Sequence, residues 1–176
     1  KIGQYRFFGT YENGNNETVF KFDNDDKLQI YQIAGGSNNL DLKTNRQFRD
    51  PSAWYHIVLA VDTTQSGGSD RVKLYVNGVH FTETRSNTAP GNNNDINWSS
   101  EDDMVTINGT SVNGQRGNHQ MCDFFFVDGQ TLSADVFGFF KNGEGYTTAG
   151  NNNEAKKIPG VWRPKPPRAI KKTGYK

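Results

Sequence analysis

Two neighbouring segments with a period-2 pattern constrain the fold of this chain more than any other feature. In residues 54–62, WYHIVLAVD, every second side chain from Tyr55 to Val61 is apolar, which predicts a strand with that face in the core. In residues 70–77, DRVKLYVN, three valine or leucine side chains alternate with others in the same way. Asn77-Gly78 then supplies the positive φ angles that a tight hairpin requires. The pattern therefore predicts adjacent strands of an all-β fold.

Shorter runs of the same kind extend this interpretation along the chain. Clusters of Gly, Asn and Asp separate the runs, and these residues favour turns because they tolerate unusual φ angles or bond to the local backbone. The polar segment 85–101 lacks periodicity and is predicted to be a surface loop, while Ser133 is a candidate N-cap for one helical turn in LSADVFGFF. Strands are predicted near residues 3–11, 17–23, 27–33, 38–43, 54–62, 70–77, 79–84, 103–107 and 121–127.

Several motifs resemble one structural superfamily. The pair AWYHIVLAVDTT and RVKLYVNG resembles the central hairpin of concanavalin A-like and laminin-G-like jelly-roll domains. Residues 121–140, MCDFFFVDGQTLSADVFGFF, and residues 160–165, GVWRPK, resemble the C-terminal part of such domains in tail-fibre and other virion proteins of bacteriophages, particularly aquatic ones. The resemblance covers most of the chain. It implies an antiparallel β-sandwich in a virion setting, and it implies no particular reaction.

A change in charge divides the chain into two predicted parts. Residues 1–154 hold 12 Lys or Arg against 19 Asp or Glu, whereas residues 155–176 hold 8 basic residues and no acidic one. We therefore predict a lectin-like sandwich over 1–154 and a basic tail over 155–176, which its prolines should keep extended. Opposite charges favour packing of this tail on the acidic domain or on a neighbouring subunit, rather than on nucleic acid. The resemblance also implies one or two further strands before residue 1.

Cysteine content and hydropathy limit the environment of the chain. Cys122 lies in a predicted strand beside Phe124 and Phe126, so a buried, unreactive thiol is favoured. A single cysteine excludes an internal disulfide. No apolar run approaches the roughly 20 residues of a membrane-spanning helix. We predict no membrane partner.

Catalysis is the first functional class that the sequence argues against. A retaining glycosidase requires two carboxylates about 5 Å apart, and no predicted strand carries acidic residues at positions i and i+2 or i+4. His56 lies on the polar face of its strand with Trp54 and is interpreted as a structural or surface residue. Motifs for a catalytic zinc, a serine triad or a phosphate-binding loop are missing. We therefore predict that the protein is not an enzyme.

Calcium binding is a second class, because domains of the type that this chain resembles often hold Ca²⁺ at the rim of the sandwich. Asn94, Asp95 and Asn97 form one candidate ligand group, and the turn 23–26 forms another. Neither group has an ordered ligand motif, so hydrated turns are the favoured interpretation. No metal or other cofactor is predicted.

Glycan binding is the class that fits the resemblance. Sugar sites combine an aromatic ring that stacks on a pyranose with amide and carboxylate groups that bond to hydroxyls. The predicted loop GNNNDINWSSEDD offers both kinds of group, and the alternative is that its tryptophan folds back to cap the core. The candidate site residues are Asn92, Asn93, Asn94, Asp95 and Trp98.

Together these patterns favour a non-enzymatic virion surface module, such as a tail-fibre, spike or decoration domain, that attaches to host-surface glycans. Many copies on one particle would convert weak contacts into avidity. The alternative is a purely structural virion protein that cements neighbouring subunits, and a polysaccharide depolymerase is a more distant one. The expected partners are other virion subunits, including copies of the same chain, and a host glycan. The expected location is the surface of the particle.

Overall fold

The computed structural model describes residues 5–98, 104–109, 119–141, 146–147, 156–157 and 160–170. Antiparallel strands dominate these residues, and each helix is a single turn of 4 residues. The predicted all-β class is confirmed. No helix in the described part of the chain has the length and apolar character needed to cross a membrane.

The strands and helical turns follow one another closely along the chain. The strands are β1 (Tyr5–Asn13), β2 (Asn16–Phe22), β3 (Lys27–Ala34), β4 (Ser37–Gln47), β5 (Ile57–Val61), β6 (Val72–Val76), β7 (Val79–Phe81), β8 (Thr84–Thr88), β9 (Met104–Ile107), β10 (Gly138–Phe140), β11 (Tyr146–Thr147), β12 (Lys156–Lys157) and β13 (Trp162–Pro164). The helical turns are α1 (Gly68–Arg71), α2 (Ala134–Phe137) and α3 (Pro167–Ile170).

The contacts divide the chain into two compact units. The first comprises Lys1–Ala53, Val61–Val72 and Thr82–Phe124, and the second comprises Trp54–Ala60, Lys73–Phe81 and Phe125–Lys176. Each unit thus contains segments that are far apart in sequence.

A six-stranded sheet in the order β8-β4-β3-β2-β1-β9 forms the first unit. Consecutive hairpins build its centre, where Phe20 of β2 pairs with Ile30 of β3 and Ile30 pairs with Leu42 of β4. Beyond them, Phe8 of β1 pairs with Ile107 of the edge strand β9. This register places the alternating apolar residues of successive strands on one face, because paired residues of antiparallel strands point to the same side.

The two faces of this sheet differ in chemistry. One face is apolar and almost fully buried, since Leu28, Ile30 and Leu40 have no exposed surface. The opposite face is mostly polar across β1 to β4, with Val19 and Ile33 as its apolar members, and we call it the polar face. Its polar members are Arg6, Glu17, Lys21, Gln29, Tyr31, Asp41 and Lys43.

A three-stranded sheet in the order β5-β6-β7 contains the hairpin predicted from the sequence. Val72, Leu74 and Val76 of β6 are buried as predicted, and Asn77 and Gly78 adopt φ angles of 51° and 78°. In β5 the outcome differs from the prediction. The face that runs from Tyr55 to Val61 is half-buried, and the fully buried residue is Ala60 of the other face. Alternation located the strand but did not identify its more buried side.

The Trp162 ring lies at the centre of a packing cluster in the second unit. It fits between the backbones of Gly78, in the β6–β7 turn, and Gly138, at the start of β10, at distances that leave no room for a Cβ atom at either glycine. Phe140 packs edge-on against the same ring, with the ring centroids 4.9 Å apart. His56, interpreted from the sequence as structural or surface, is half-buried with its ring centroid 5.5 Å from that of Trp162. A residue of the Pro-rich segment is therefore part of this core.

The Pro-rich segment is less extended than predicted. Its residues Trp162–Pro164 form β13, which pairs with β10, and Pro167–Ile170 form the helical turn α3. Proline is compatible with both, because it is tolerated on short edge strands and at the first position of a helix, where its missing N–H is not needed. The predicted boundary between residues 154 and 155 lies outside the described residues, so it remains a prediction.

Three further predictions were wrong in whole or in part. No strand forms over residues 121–127, where Asp123 has a φ angle of 52° that interrupts an extended backbone. Cys122 is exposed, not buried. The segment 85–101 was predicted to be a loop, but its residues up to Thr88 belong to the edge strand β8. Every residue of this strand is polar, so the sequence shows no alternation of apolar and polar residues there.

The predicted helical turn after Ser133 is confirmed as α2, with Ser133 in the N-cap position. Its side chain does not cap the helix, however. The hydroxyl donates to the carboxylate of Asp135 instead.

Candidate functional site

The loop predicted to bind glycans is held by its own asparagines. The side-chain amide of Asn92 donates to the carbonyl oxygens of Thr63, Thr64 and Gln65 at 3.3, 3.2 and 3.0 Å. The side-chain amide of Asn93 donates to the Asn92 side-chain oxygen at 2.9 Å. The Asn92 side chain therefore fixes the loop to the segment after β5, and this role occupies its amide group.

Trp98 is half-buried and lies edge-on to Phe8, with the ring centroids 5.8 Å apart. The neighbouring carbonyl of Asn97 accepts the hydroxyl of Thr10 at 2.6 Å. These contacts agree with the core-capping alternative. Of the predicted site residues, Asn93, Asn94 and Asp95 are exposed beside Asn92. The structure thus brings the polar groups of the loop to the surface, whereas the Trp98 ring packs on the apolar residue Phe8.

The acidic turn at residues 23–26, the second calcium candidate, is neutralised by protein cations. Asp23 forms an ion pair with Lys43, and Asp26 accepts from Arg49 at 3.3 Å. Burial alone would raise the pKa of Asp23, but hydrogen bonds from Lys43 and from the backbone N–H groups of Asp25 and Lys27 hold it below its usual value. Within the described ranges, no group of three His, Cys, Asp or Glu side chains is arranged to hold a metal ion.

Trp54 is the most exposed tryptophan, with 62% of its surface accessible. It precedes β5 and follows an exposed Pro51-Ser52 pair. An exposed indole is a suitable platform for a sugar ring. The sequence interpretation gave this residue little weight, although a tryptophan next to a proline turn at the start of a strand was a signal that could have identified it.

The polar face of the six-stranded sheet is a larger candidate site that the sequence interpretation missed. One cross-strand row joins Arg6 to Lys21, Lys21 to Gln29, and Gln29 to Lys43. In the next row Tyr31 pairs with Asp41. Polar alternation in KLQIYQI was the available signal, but the row itself becomes visible only when the register of four strands is known.

Glu17 is the acceptor at one end of this face. Its carboxylate accepts the guanidinium of Arg6 at 3.0 Å and the phenol of Tyr31 at 2.6 Å. Burial raises the pKa of Tyr31, and the hydrogen bond to Glu17 raises it further, so the phenol stays protonated and donates. The three side chains form a fixed network in which both carboxylate oxygens have donors.

Asp41 and Lys21 complete the centre of the face. The carboxylate of Asp41 accepts the side-chain amide of Gln29 at 2.8 Å. The ammonium of Lys21 lies 5.0 Å from the centroid of the Tyr31 ring, which is within range of a cation–π contact. The polar face thus holds an aromatic ring, an amide, two carboxylates and three cations in defined positions. Chemically, it can donate and accept hydrogen bonds to a polyhydroxylated ligand.

Comparison with known families identifies the superfamily to which the six-stranded sheet belongs. A laminin-G-type family model, described as the concanavalin A-like lectin/glucanases superfamily, matches residues 3–115. The matched range contains every residue of the polar face and the predicted loop site. The antiparallel sheets described above are consistent with the β-sandwich fold predicted for this chain. No curated protein and no solved structure gives a significant match.

Proposed function

The chain belongs to the concanavalin A-like lectin/glucanases superfamily, and we propose that it is a non-enzymatic carbohydrate-binding module on the surface of a virion. A carbohydrate-binding role fits the superfamily. The virion setting is our further proposal, supported by the resemblance of residues 121–140 and 160–165 to phage virion proteins. In that setting the partners would be a host-surface glycan and neighbouring virion subunits.

The preorganised polar face carries the proposal of glycan binding. Its side chains occupy fixed positions before any ligand arrives, since Tyr31 is bonded to Glu17 and Gln29 is bonded to Asp41. Gln29, Tyr31 and Asp41 are half-buried, so part of each remains accessible. Groups held in this way lose little conformational freedom on binding, which favours recognition of sugar hydroxyls.

A binding role also explains how the carboxylates of this face are used. Both oxygens of Glu17 accept bonds from cationic or phenolic donors, and Asp41 is bonded to an amide. A general acid would need a carboxyl group that retains its proton near neutral pH. Both oxygens of Glu17 are occupied by Arg6 and Tyr31, so neither is placed to deliver a proton to a sugar. We therefore propose binding without bond cleavage.

The test is binding of the purified chain to an array of bacterial surface polysaccharides. Asp41→Ala removes one acceptor from the centre of the polar face, and Asn45→Ala changes an exposed residue of the same strand. We expect selective binding that falls at least tenfold in Asp41→Ala and stays unchanged in Asn45→Ala. Reducing ends should not accumulate during incubation.

Each other outcome points to a different conclusion. Loss of binding in Asn94→Ala or Asp95→Ala, with Asp41→Ala unaffected, would move the site to the loop. Loss in Trp54→Ala alone would move it to the exposed indole. Release of reducing ends would indicate the depolymerase alternative. Absence of any binding would overturn the glycan proposal.

Exposed apolar residues in the second unit favour one alternative, a structural role between virion subunits. Phe139 and Val161 are 47% and 60% exposed, and Arg163, the cross-strand partner of Phe139, is also exposed. Aromatic residues and arginine are enriched at protein interfaces. Sedimentation velocity of the wild type and Phe139→Ser would distinguish the roles. A wild-type oligomer that dissociates in the variant, together with no glycan binding, would favour this alternative.

A further inference from the structure

Lys21 is a buried cation at the centre of the polar face. Only 7% of its surface is exposed, and its strand neighbours in the row are Arg6 and Gln29. Lysine is among the residues least often buried, unless its charge is paired. Its position therefore requires an electrostatic explanation.

The carboxylates nearest to Lys21 are already paired with other cations. Glu17 accepts from Arg6, and Asp23 is paired with Lys43. Among the residues that the structure describes, no carboxylate lies within ion-pair distance of the Lys21 ammonium, and its contact there is with the Tyr31 ring.

Among the described residues, Lys21 is the cation of the polar face that has no carboxylate in direct contact. Arg6 is paired with Glu17 and Lys43 with Asp23, while the third carboxylate, Asp41, accepts the Gln29 amide. Burial is the main cause that lowers the pKa of Lys21 and the charge of Arg6 lowers it further, while the charges of Asp23 and Glu17 act in the opposite direction. A cation in these surroundings would gain from an added counter-ion, because an unpaired charge away from water is unfavourable.

We propose that the polar face binds one acid group of its glycan at Lys21. The group is a monoanionic oxyanion, either the carboxylate of a uronic acid or a sulfate ester. This inference rests on the proposed function and narrows the ligand to acidic polysaccharides. A neighbouring donor suits such a group, since the Gln29 amide lies on the adjacent strand at the paired position and uses one of its two N–H groups for Asp41.

The experiment compares charged glycans with neutral forms of the same backbone. Calorimetric titrations of the full chain would use oligogalacturonate against its methyl ester, and dextran sulfate against dextran. We expect the charged form of at least one pair to bind tenfold or more tightly than its neutral form. The first pair tests a carboxylate and the second a sulfate.

Two variants assign this preference to the lysine. Lys21→Met removes the charge and keeps the length of the side chain, and Lys27→Met does the same at a half-buried lysine that begins β3. The preference for the charged form should disappear in Lys21→Met and persist in Lys27→Met. Equal urea midpoints for wild type and Lys21→Met would confirm that the fold is intact. If that variant is unfolded, Lys21→Arg replaces it and should retain the preference.

A measurement on Lys21 itself separates the two proposals. Titration of the Lys21 side chain by NMR, with and without inorganic sulfate, should show that the anion raises its pKa. An unchanged pKa would overturn the anion site, even if neutral glycans bind through Asp41. A raised pKa without any glycan binding would support the anion site and overturn the glycan function. Equal affinity for charged and neutral forms would leave the glycan function standing and overturn the acidic preference.

Discussion

The indole of Trp162 lies directly on the backbone of Gly78, with no space for a β-carbon between them. The same ring excludes a Cβ atom at Gly138 on the other strand pair. The two glycines differ in one respect. Gly78 has a φ angle of 78°, which favours glycine by itself, whereas Gly138 has an extended backbone with a φ angle of −156°. Substitution at Gly138 therefore tests the ring contact alone.

Gly138→Ala should destabilise the protein by about 1–3 kcal/mol, because the added methyl group forces the indole out of its position. Equilibrium unfolding in urea measures this. Gly14→Ala is the matched control, since nothing lies within 4 Å of a Cβ atom at that position. In a Trp162→Ala background the cost of Gly138→Ala should largely vanish. If Gly138→Ala destabilised the Trp162→Ala variant as much as the wild type, the added methyl group would not be clashing with the indole.

Asp23→Asn should lower stability at neutral pH by about 1–2 kcal/mol, because the amide loses the charge interaction with Lys43 but can still accept the backbone bonds of the turn. The pKa of Asp23 is depressed in the folded chain, so its contribution is complete above the unfolded value of about 3.9 and is lost as pH falls through the folded value. The stability difference between wild type and variant, measured in urea at several pH values, should begin to narrow as the pH falls below about 4. A difference that stays constant down to pH 3 would contradict this assignment.

His56 should make the protein less stable in mild acid. Burial lowers its pKa, so the neutral ring is favoured in the folded state and stability is lost as pH falls below the unfolded value of about 6.5. His119, edge-on to Phe7 at 5.0 Å, has a pKa lowered by the same cause and adds to the effect.

The measurement is the free energy of unfolding at pH 7.5 and pH 5.5. Wild type should lose on the order of 1 kcal/mol over this interval, and His56→Gln should lose less. His80→Gln, at an exposed histidine, should follow the wild type. Parallel profiles for wild type and His56→Gln would show that another group causes the loss.

Trp98→Ala should cost about 1–3 kcal/mol of stability, since the half-buried indole packs against Phe8. Asn94→Ala and Asp95→Ala, at exposed positions, should stay within about 0.5 kcal/mol of wild type. Thermal unfolding of the three variants tests the difference. If Trp98→Ala were as stable as wild type, the ring would not serve as a cap for the core, and a role in ligand binding would gain weight.

The hairpins of the large sheet were predictable because alternation along the strands is combined with turn residues between them. Residues 17–23 and 27–33 alternate clearly, and Asp23 lies at the turn, where its carboxylate accepts backbone N–H groups. The run Phe124 to Phe126 illustrates the opposite case. Apolar composition indicated a buried strand there, but all three rings are more than a third exposed. Hydrophobicity without alternation did not determine the backbone conformation.

The candidate site was less predictable than the fold. A loop rich in asparagine resembles a binding loop in sequence, yet the Asn92 amide bonds to three backbone carbonyls. The polar face depends on residues from four strands, and only the pairing register brings Arg6, Lys21 and Gln29 into one row. Period-2 analysis finds each strand separately, but it does not align one with the next.

The Trp162 ring fills a slot between the backbones of Gly78 and Gly138, and this packing affects the order in which the protein folds during synthesis. Residues 54–60 and 73–81 leave the ribosome early, but the ring that packs on Gly78 arrives only when residue 162 has been made. The hairpins from β1 to β4 need no such late segment and can pair as they emerge. The second unit must therefore keep its tryptophan slot empty while about eighty more residues are added. A nascent chain arrested before residue 162 would expose that slot to chaperones and proteases.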